Sequence, residues 1–528
     1  MDFSANDTKH PRTVTDVAGA EKGEVHGVVI NETGHVQELE RNFSFLSVCS
    51  VGIVTGNTWA ALGGSIVVAL YNGGPPGVIY EFLVASFFYW CISASIAELA
   101  SAIPSSSGVY QWASITAGPK YGKICGWFAG WWNFLAWMFA AASICAINAN
   151  IIIAMYNVFH PDFEPQRWHT FIAYLIVCWI SCLTVLFANR ALPALTTLGL
   201  PLCLGGVFIT ILVCAIMPST TGAGHATSAI VWKDWSNQTG WASDGFVFLA
   251  GTLNGAFAVG TPDCVSHLAE ELPNPRRNIP KAILAQMVIG LFTALFYMIA
   301  IFYSIQSFDD VLTNTYTSPL AEVYLQATSS KGGALGLLIL IYLPLTCGFF
   351  GNFITCGRML WTLGRDGATP FSGTVGAIHP THKNPFNATL ICGIICTILG
   401  CIYVGSITAF NAFVGSFVIF STLSYIAAIL PNLLTKRRYV IPGPFWMPGW
   451  IGYVVGGIGC VYIVVFDVIY CFPYAMPVSA ASMNYSALIT GGLTMFVGLW
   501  YAFGRRGYVG PPALIEEDMP MATIHKAL

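Results

Sequence analysis

Long apolar runs alternate with short polar connections along nearly the whole chain. A helix that crosses the hydrocarbon core of a bilayer needs about 20 mostly apolar residues. Runs of about this length predict twelve membrane-spanning helices, called spans one to twelve below. Their approximate bounds are 44–71, 77–103, 123–157, 168–188, 191–217, 244–271, 279–305, 333–363, 387–405, 407–431, 449–472 and 485–503. The predicted fold is therefore an all-α integral membrane protein.

The composition agrees with this pattern. Of the 528 residues, 55% are hydrophobic and 9% are charged, whereas about 25% of the residues in soluble proteins are charged. The surface of the protein that is not polar must contact lipid, so we expect the lipid bilayer to be one of its partners. The net charge of −3 gives no indication of nucleic acid binding. The chain has no glycine-rich phosphate loop and no cluster with metal-ligand spacing, so we expect no cofactor, no metal ion and no enzymatic activity.

Polar segments flank this membrane domain at both ends. Residues 1–43 are acid-rich and predict a disordered tail. Residues 44–505 hold the twelve spans, and residues 506–528 form a second tail. The tails carry lysines that are candidate acceptors for a ubiquitin ligase and its adaptor, although solvated lysines are ordinary in such segments: Lys9, Lys22 and Lys526.

Positive charges are distributed unequally between the two sides of the membrane. If the N-terminus is cytoplasmic, 19 of the 22 Lys and Arg residues lie on the inner side, and Arg167, Lys233 and Lys331 lie outside. Cytoplasmic connections of membrane proteins carry the excess of Lys and Arg. We therefore expect both termini in the cytoplasm and a location in the plasma membrane. Asn237 and Asn484 then fall outside, in triplets typical of glycan acceptors.

Two spans contain helix-breaking segments at matching positions. Span six runs into AVGTPDCVSHLAEELPNP, in which Gly260 and Pro262 predict two half-helices separated near residues 258–261. Span one contains SVGIVTGNTWAALGGS, whose middle is polar and weakly helical. Spans one and six begin two halves of five helices each, at about 44–217 and 244–431, and interrupted helices at matching positions indicate a transporter binding site. The alternative is that these glycines only allow close helix packing.

Ionisable residues follow the break in span six. Asp263 is a candidate for binding a cationic substrate or carrying a coupling proton; alternatively, it caps the second half-helix. His267 lies on the same helix face and is a candidate proton relay or a structural histidine. A predicted cluster of ion pairs locks the inner gate, and its members are Glu270, Glu271, Arg276 and Arg277.

Several segments resemble one known family. HLAEELPNPRRNIPKAI, residues 267–283, resembles the signature that follows the sixth helix in the amino acid–polyamine–organocation superfamily. TPDCVSHLAEE is similar to the fungal branch that contains choline and GABA permeases. Supporting segments are GNTWAALGGSIVVAL, GGPPGVIY, SIAELASAIPSSSGVYQWAS and GRMLWTLGRDGATPFS. The resemblance covers about residues 44–505.

The resemblance implies an architecture and a site. Ten helices would form a five-plus-five inverted repeat with spans one and six broken, followed by two further helices at about 449–503. A proton gradient would drive uptake, with substrate held between spans one, three, six, eight and ten. Glu98 would support the inner gate together with the arginines after span six. The implied site residues are Thr55, Gly56, Asn57, Thr58, Trp59, Phe257, Gly260, Thr261 and Asp263.

Span one departs from the pattern of many amino-acid transporters in this superfamily. They carry a G-S/T-G triplet whose amides hold the substrate carboxylate, whereas this chain has TGNTWA. This departure favours an amine, which the ring of Trp59 would face unless the ring faces neighbouring helices. The leading hypothesis is a proton symporter that imports a small amine or amino acid such as choline or GABA. The alternatives are transport of other amino acids or polyamines, and a nutrient sensor without transport.

Overall fold

A computed structural model of the chain describes residues 24–25, 28–29, 44–66, 69–313, 318–406 and 408–511. The proposed ubiquitin acceptors Lys9, Lys22 and Lys526 lie outside these residues, as does most of both tails. Within the described ranges the strands are two-residue pairs: Glu24–Val25 with Val28–Val29, and Asn72–Gly73 with Ser236–Asn237. The rest of the regular structure is helical, as the apolar runs predict.

All twelve predicted spans are present. Among the described residues, eleven helical segments are long and apolar enough to cross a membrane, and the shorter apolar helix Asp244–Val259 completes the set. Span one comprises Phe45–Gly56 and Thr58–Gly64. Spans two to five are Gly74–Ala102, Gly118–Phe159, Arg167–Phe187 and Leu192–Thr220. Span six is Asp244–Val259 followed by the 3₁₀ helix Ser266–Glu271, and span seven is Pro275–Tyr303. Spans eight to twelve are Lys331–Arg365, Phe386–Gly405, Ala409–Leu434, Gly449–Ile469 and Ser486–Gly504.

Short helices lie in the connections between spans. They are Val109–Thr116, Asn189–Ala191 (3₁₀), Ser228–Trp232, Phe308–Leu312, Pro319–Thr328 and Ser372–Val375. The helix Pro319–Thr328 lies in the connection between spans seven and eight, and its apolar face packs on spans five and eight. These connections thus add packing surface to the bundle.

Span three is the central helix of the bundle, and small residues allow its neighbours to approach closely. Its glycines recur every fourth residue at Gly122, Gly126 and Gly130. A Cβ atom at Gly122 would meet the carbonyl oxygen of Ser114, which belongs to the helix Val109–Thr116. Such a stripe of small residues brings helix backbones together in membranes. Further along, span three packs on spans eight and ten, which both contribute to the site described below.

One predicted surface feature is wrong. Asn484 was expected outside the membrane as a glycan acceptor, but only 1% of its surface is exposed. Its Nδ2 donates to the carbonyl oxygens of Tyr470 at 2.6 Å and Phe472 at 2.9 Å. The amide therefore joins the connection between spans eleven and twelve to the end of span eleven, and a glycan would replace one of the two hydrogens that make these bonds.

Span eight lies directly against the backbone of span one. A Cβ atom at Gly348 would collide with the carbonyl oxygen of Val54, whereas a Cβ atom at Gly336, in the same helix, would have no neighbour within 4 Å. Because backbone cannot rotate away as a side chain can, we expect Gly348→Ala to force the two helices apart. Overpacking of this kind costs about 1–3 kcal/mol.

Thermal unfolding of the purified protein in detergent measures this effect. We expect a lower melting temperature for Gly348→Ala and an unchanged or slightly higher one for the matched control Gly336→Ala, because Ala favours a helix over Gly. Equal melting temperatures for the two variants would contradict the close packing of spans one and eight.

Candidate functional site

Span one is broken by a single residue. Asn57 adopts a left-handed conformation with φ 30° and ψ 52° between the helices Phe45–Gly56 and Thr58–Gly64. Its N–H donates to the carbonyl oxygen of Ile53 at 2.8 Å, so the first helix keeps its last hydrogen bond. Asn tolerates this conformation better than most residues with a Cβ atom. The break is narrower than the polar stretch of the sequence predicts, because Thr58 and Trp59 are helical.

Span six is broken where Gly260 and Pro262 predict it, but its second part differs from the prediction. The α-helix ends at Val259, and the chain continues through turns into a 3₁₀ helix instead of an α-helical second half. The N–H and the hydroxyl of Ser266 both bond to the carbonyl oxygen of Asp263, at 2.9 and 2.7 Å. These i to i+3 bonds favour the tighter 3₁₀ geometry.

Side chains from two other spans satisfy the backbone that the break exposes. Gln286 of span seven donates from Nε2 to the carbonyl oxygen of Thr261 at 3.1 Å and to its Oγ1 at 3.0 Å. The hydroxyl of Tyr425, in span ten, shares its single hydrogen between the carbonyl oxygen of Gly260 at 3.1 Å and the carboxylate of Asp263 at 2.7 Å. Non-helical backbone at membrane depth is tolerated only where protein or water satisfies it. Gln286 and Tyr425 are therefore part of the structure of the break.

Asp263 lies at the centre of a buried network, with 0% of its surface exposed. Its Oδ2 accepts from Nδ2 of Asn133 at 2.8 Å and from Nε1 of Trp137 at 3.1 Å, both on span three. Its Oδ1 accepts from the hydroxyl of Tyr425 at 2.7 Å. The fourth neighbour is Nε2 of His267, at 3.2 Å from Oδ2. All four partners are side chains, so the carboxylate binds across the spans instead of capping the next turn.

The contact between Asp263 and His267 holds one proton. Nδ1 of His267 lies 3.0 Å from the carbonyl oxygen of Ser106, which can only accept a hydrogen bond, so Nδ1 carries a hydrogen. One further proton then lies between Nε2 and the carboxylate. The pair is either an imidazolium with a carboxylate or a neutral imidazole with a carboxylic acid. In both forms Asp263 is bonded to four side chains, and it is not among the residues that line the cavity described below.

A small internal cavity lies beside this network. Its volume available to the centre of a water molecule is about 20 Å³, enough for a single water, so the site is closed. Spans one, three, six, eight and ten line it, as the family resemblance implies. The lining residues are Val54, Thr55, Gly56, Asn57, Ala61, Ala140, Ile144, Phe257, Thr261, Leu345, Gly348 and Phe417. No charged side chain is among them, and the rings of Phe257 and Phe417 meet at 5.6 Å and 87°.

The structure separates the implied substrate-binding residues into two groups. Thr55, Gly56, Asn57, Phe257 and Thr261 line the cavity, whereas Thr58, Trp59, Gly260 and Asp263 do not. Nε1 of Trp59 donates to Sγ of Cys203 at 3.4 Å, and its ring meets Tyr297 edge to face at 5.1 Å. Trp59 therefore faces spans five and seven. The two residues directly after the left-handed turn at Asn57, Thr58 and Trp59, are therefore directed away from the cavity, whereas Ala61 one turn later lines it.

Buried ion pairs occupy the end of the bundle at which spans two, six, eight and ten finish, called the basic end below. Oε1 of Glu271 accepts from Nε and Nη2 of Arg358, both at 2.9 Å. Glu98 forms an ion pair with Arg437 and also accepts from the N–H of Met447 at 3.2 Å. Glu271 was expected to pair with Arg276 or Arg277, and Glu98 to support the same gate. The structure instead pairs these two carboxylates with arginines near the ends of spans eight and ten.

The other predicted gate residues lie at the same end. Oε1 of Glu270 is 3.6 Å from Nη1 of Arg365, which also belongs to span eight. Arg276 and Arg277 begin span seven and are exposed. They border a groove on the surface of the bundle, so the structure places them on the side of the basic end rather than in its buried centre.

Sequence reasoning missed several residues of the site. Asn133, Gln286 and Tyr425 hold Asp263 and the broken backbone, and Phe417 closes the cavity. Each is a single polar or aromatic residue within an apolar span, which is the only signal that the sequence offers. Trp137 is one of several aromatic residues in span three, and its hydrogen bond to Asp263 distinguishes it from the others.

Comparisons with known proteins show which family and which transporters the chain is similar to. A sequence profile of the family described as amino acid permease matches residues 43–493. The chain is 32% identical to the choline transporter of Saccharomyces cerevisiae, over 92% of this chain and 83% of that protein. It is 25% identical to the amino-acid permease BAT1 of Arabidopsis thaliana, over 92% and 96% of the two chains. It is 24% identical to the 7-keto 8-aminopelargonic acid transporter of S. cerevisiae, over 86% and 90%.

The pair of Glu271 and Arg358 permits a test of the basic end. Both side chains are buried, with 2% and 1% of their surfaces exposed. We expect Arg358→Met to destabilise the protein strongly, because breaking a buried pair leaves a charge without a partner and costs about 3–5 kcal/mol. The double variant Arg358→Met/Glu271→Met removes both charges and should recover most of that loss.

Melting temperatures of the four proteins in this double-mutant cycle measure the coupling, and Arg505→Met serves as an exposed control. A single variant as stable as the wild type, or a double variant no better than the single one, would contradict a buried ion pair at this position.

Proposed function

Since this chain belongs to the amino acid permease family, we propose that it imports a small amine, with choline as the first candidate, together with a proton. The family makes the coarser statement secure: the chain is a multi-pass membrane transporter of amino acids or amines, not an enzyme. The proposal adds the substrate, the coupling ion and the direction of transport. Its main support is a closed cavity with aromatic and neutral polar walls beside a buried Asp–His pair.

The chemistry of the cavity favours a cation without a carboxylate. A quaternary ammonium group binds well against aromatic faces, and Phe257 and Phe417 provide two adjoining rings in the wall of the cavity. Nδ2 of Asn57 is buried and has no hydrogen-bond partner among the described residues, so it is available to the hydroxyl oxygen of a ligand such as choline. The name of the yeast relative, choline transporter, supports the same choice.

GABA is the second candidate. Its carboxylate would need donors, and the residues that line the cavity include no Lys, Arg or His. Backbone N–H groups at the break in span one would have to supply them, as the G-S/T-G triplet does in relatives that bind amino acids. A polyamine is less suitable, because the same lining residues include no acid to pair with a second amine.

Asp263 and His267 are proposed to carry the coupling proton. The pair is buried and holds one exchangeable proton, which suits a relay that opens to water on one side at a time. A contact connects it to the cavity: the ring of Phe417 packs on Trp137 at 6.5 Å, and Nε1 of Trp137 donates to Asp263. A substrate that displaces Phe417 would therefore disturb a hydrogen bond to the proton-carrying carboxylate.

The distribution of positive charges supports the orientation of the protein in the membrane. Of the 22 Lys and Arg residues, 19 lie on the side that holds both tails, and the positive-inside rule makes this side cytoplasmic. We propose the plasma membrane as the location, with the basic end facing the cytoplasm. Uptake then means movement from the opposite end of the bundle, through the cavity, to the basic end.

Asp263→Asn tests the coupling role. The amide of Asn has nearly the size of the Asp carboxyl group, but it neither binds nor releases a proton at acid or neutral pH. We therefore expect this variant to lose the accumulation of choline against its concentration gradient. The measurement is uptake of radiolabelled choline, and in parallel GABA, in a yeast strain that lacks its own carriers, at acid and neutral pH and with and without a protonophore. Asp309→Asn, an exposed residue of a connection, is the control.

Concentrative uptake by Asp263→Asn at the wild-type level would reject the coupling role. If the wild-type protein reaches the cell surface and accumulates neither compound, the sensor alternative or another substrate gains support.

Phe417→Leu tests the aromatic wall. A cation–π contact contributes about 0.5–2 kcal/mol, so its loss should raise the KM for choline by about 2- to 30-fold, while Phe417→Tyr should stay close to the wild type. Phe420→Leu is the matched control, because Phe420 is buried in the same span and stacks on Phe139, away from the cavity. Equal KM changes in Phe417→Leu and Phe420→Leu would argue against an aromatic substrate contact.

A further inference from the structure

A large groove lies on the outside of the bundle, away from the internal cavity. It has a volume of about 460 Å³ between spans two and seven and the connection that follows span ten. Its lining residues include Trp90, Arg276, Arg277, Lys281, Leu284 and Phe445. Because it opens on the flank of the spans, its natural surroundings are lipid.

The groove has a polar end and an apolar wall. Arg277 and Lys281 lie on the first turns of span seven and are exposed, and no acidic residue is among the lining residues. Deeper along the spans the wall is apolar, and Leu284, Phe445 and Trp90 are 60%, 40% and 37% exposed. Basic groups at a helix end with an adjoining apolar channel match the two parts of a phospholipid.

A single hydroxyl group holds the parts of this groove together. Oγ of Ser101, at the end of span two, donates to the carbonyl oxygen of Arg276 at 2.8 Å. The same oxygen accepts from the N–H of Phe445 at 2.9 Å. Span two, the start of span seven and the connection after span ten therefore meet at Ser101. The groove is therefore already formed without a ligand. This lowers the free-energy cost of ordering its residues when a ligand binds.

We infer that the groove binds an anionic phospholipid, with the headgroup at Arg277 and Lys281 and an acyl chain along Leu284 and Trp90. Charge complementarity selects an anionic headgroup over a zwitterionic one, since the lining residues provide cations and no acid. The apolar wall selects a lipid over a free anion, because a soluble phosphate would leave that wall exposed. This inference does not depend on which substrate the transporter carries.

Lipid retention by the purified full-length protein tests the inference. Native mass spectrometry would compare binding of dioleoyl-phosphatidylserine and dioleoyl-phosphatidylcholine added to detergent micelles. We expect the wild type to prefer phosphatidylserine and Arg277→Gln/Lys281→Gln to lose about 10- to 30-fold in its apparent affinity, because each basic residue near a membrane surface contributes roughly a factor of five. Both residues are exposed, so the fold should persist, and the melting temperature without added lipid verifies this.

Arg505→Gln/Arg506→Gln is the matched control, since it removes two exposed arginines near the end of span twelve, outside the groove. Equal loss of phosphatidylserine in the two double variants would overturn the inference, as would equal binding of both lipids to the wild type. Soluble glycerophosphoserine distinguishes the sources: competition as strong as that by the intact lipid would indicate an anion site without an acyl-chain subsite and would also overturn it.

Discussion

The structure depends on how the broken backbone of span six is satisfied. In the hydrocarbon core of a membrane, no water is available to donate a hydrogen bond to a carbonyl group that has lost its helical partner. Here the carbonyl oxygen of Thr261 accepts from Gln286 of span seven, and that of Gly260 accepts from Tyr425 of span ten. These bonds connect the break to two spans that lie far apart in the sequence. Movement of span six relative to either neighbour must exchange these partners.

The same break positions the charge of the site. Asp263 accepts hydrogen bonds from Asn133, Trp137 and Tyr425 and shares one proton with His267. Burying a carboxylate is costly unless hydrogen bonds and an opposite charge compensate it, and these four partners do so without any contribution from a substrate. The proton site and the cavity are therefore chemically separate. Their connection is mechanical, through the packing of the Phe417 ring on Trp137.

The sequence predicts the helical elements well because their length is a local property. The apolar runs predict spans whose ends lie within a few residues of those observed, and Gly260 with Pro262 predicts the position of the break. The 3₁₀ geometry after it was missed, because it depends on Ser266 bonding to the carbonyl oxygen of Asp263. A local pattern also shows which residue is charged but not which residue pairs with it.

The sequence therefore could not predict which residues form ion pairs or in which direction a side chain points. Glu98 pairs with Arg437, which is 339 residues away, so no spacing rule could select it over the nearer Arg276. Trp59 is two residues from Asn57, which lines the cavity, yet it faces spans five and seven. The single left-handed residue between the two helices of span one decides this direction, and such a turn has no hydrophobic period from which to predict it.

Release of substrate at the basic end, as proposed, requires this end to open, and its ion pairs are suited to that step. An apolar interface loses its hydrophobic stabilisation when water enters it. Glu271 with Arg358, and Glu98 with Arg437, instead pay a desolvation cost while buried and regain hydration when they separate. The free-energy difference between closed and open arrangements is therefore smaller than the Coulomb energy of the pairs suggests. Buried ion pairs thus give the closed state a specific geometry at this end without making it too stable to open, which a gate that must cycle requires.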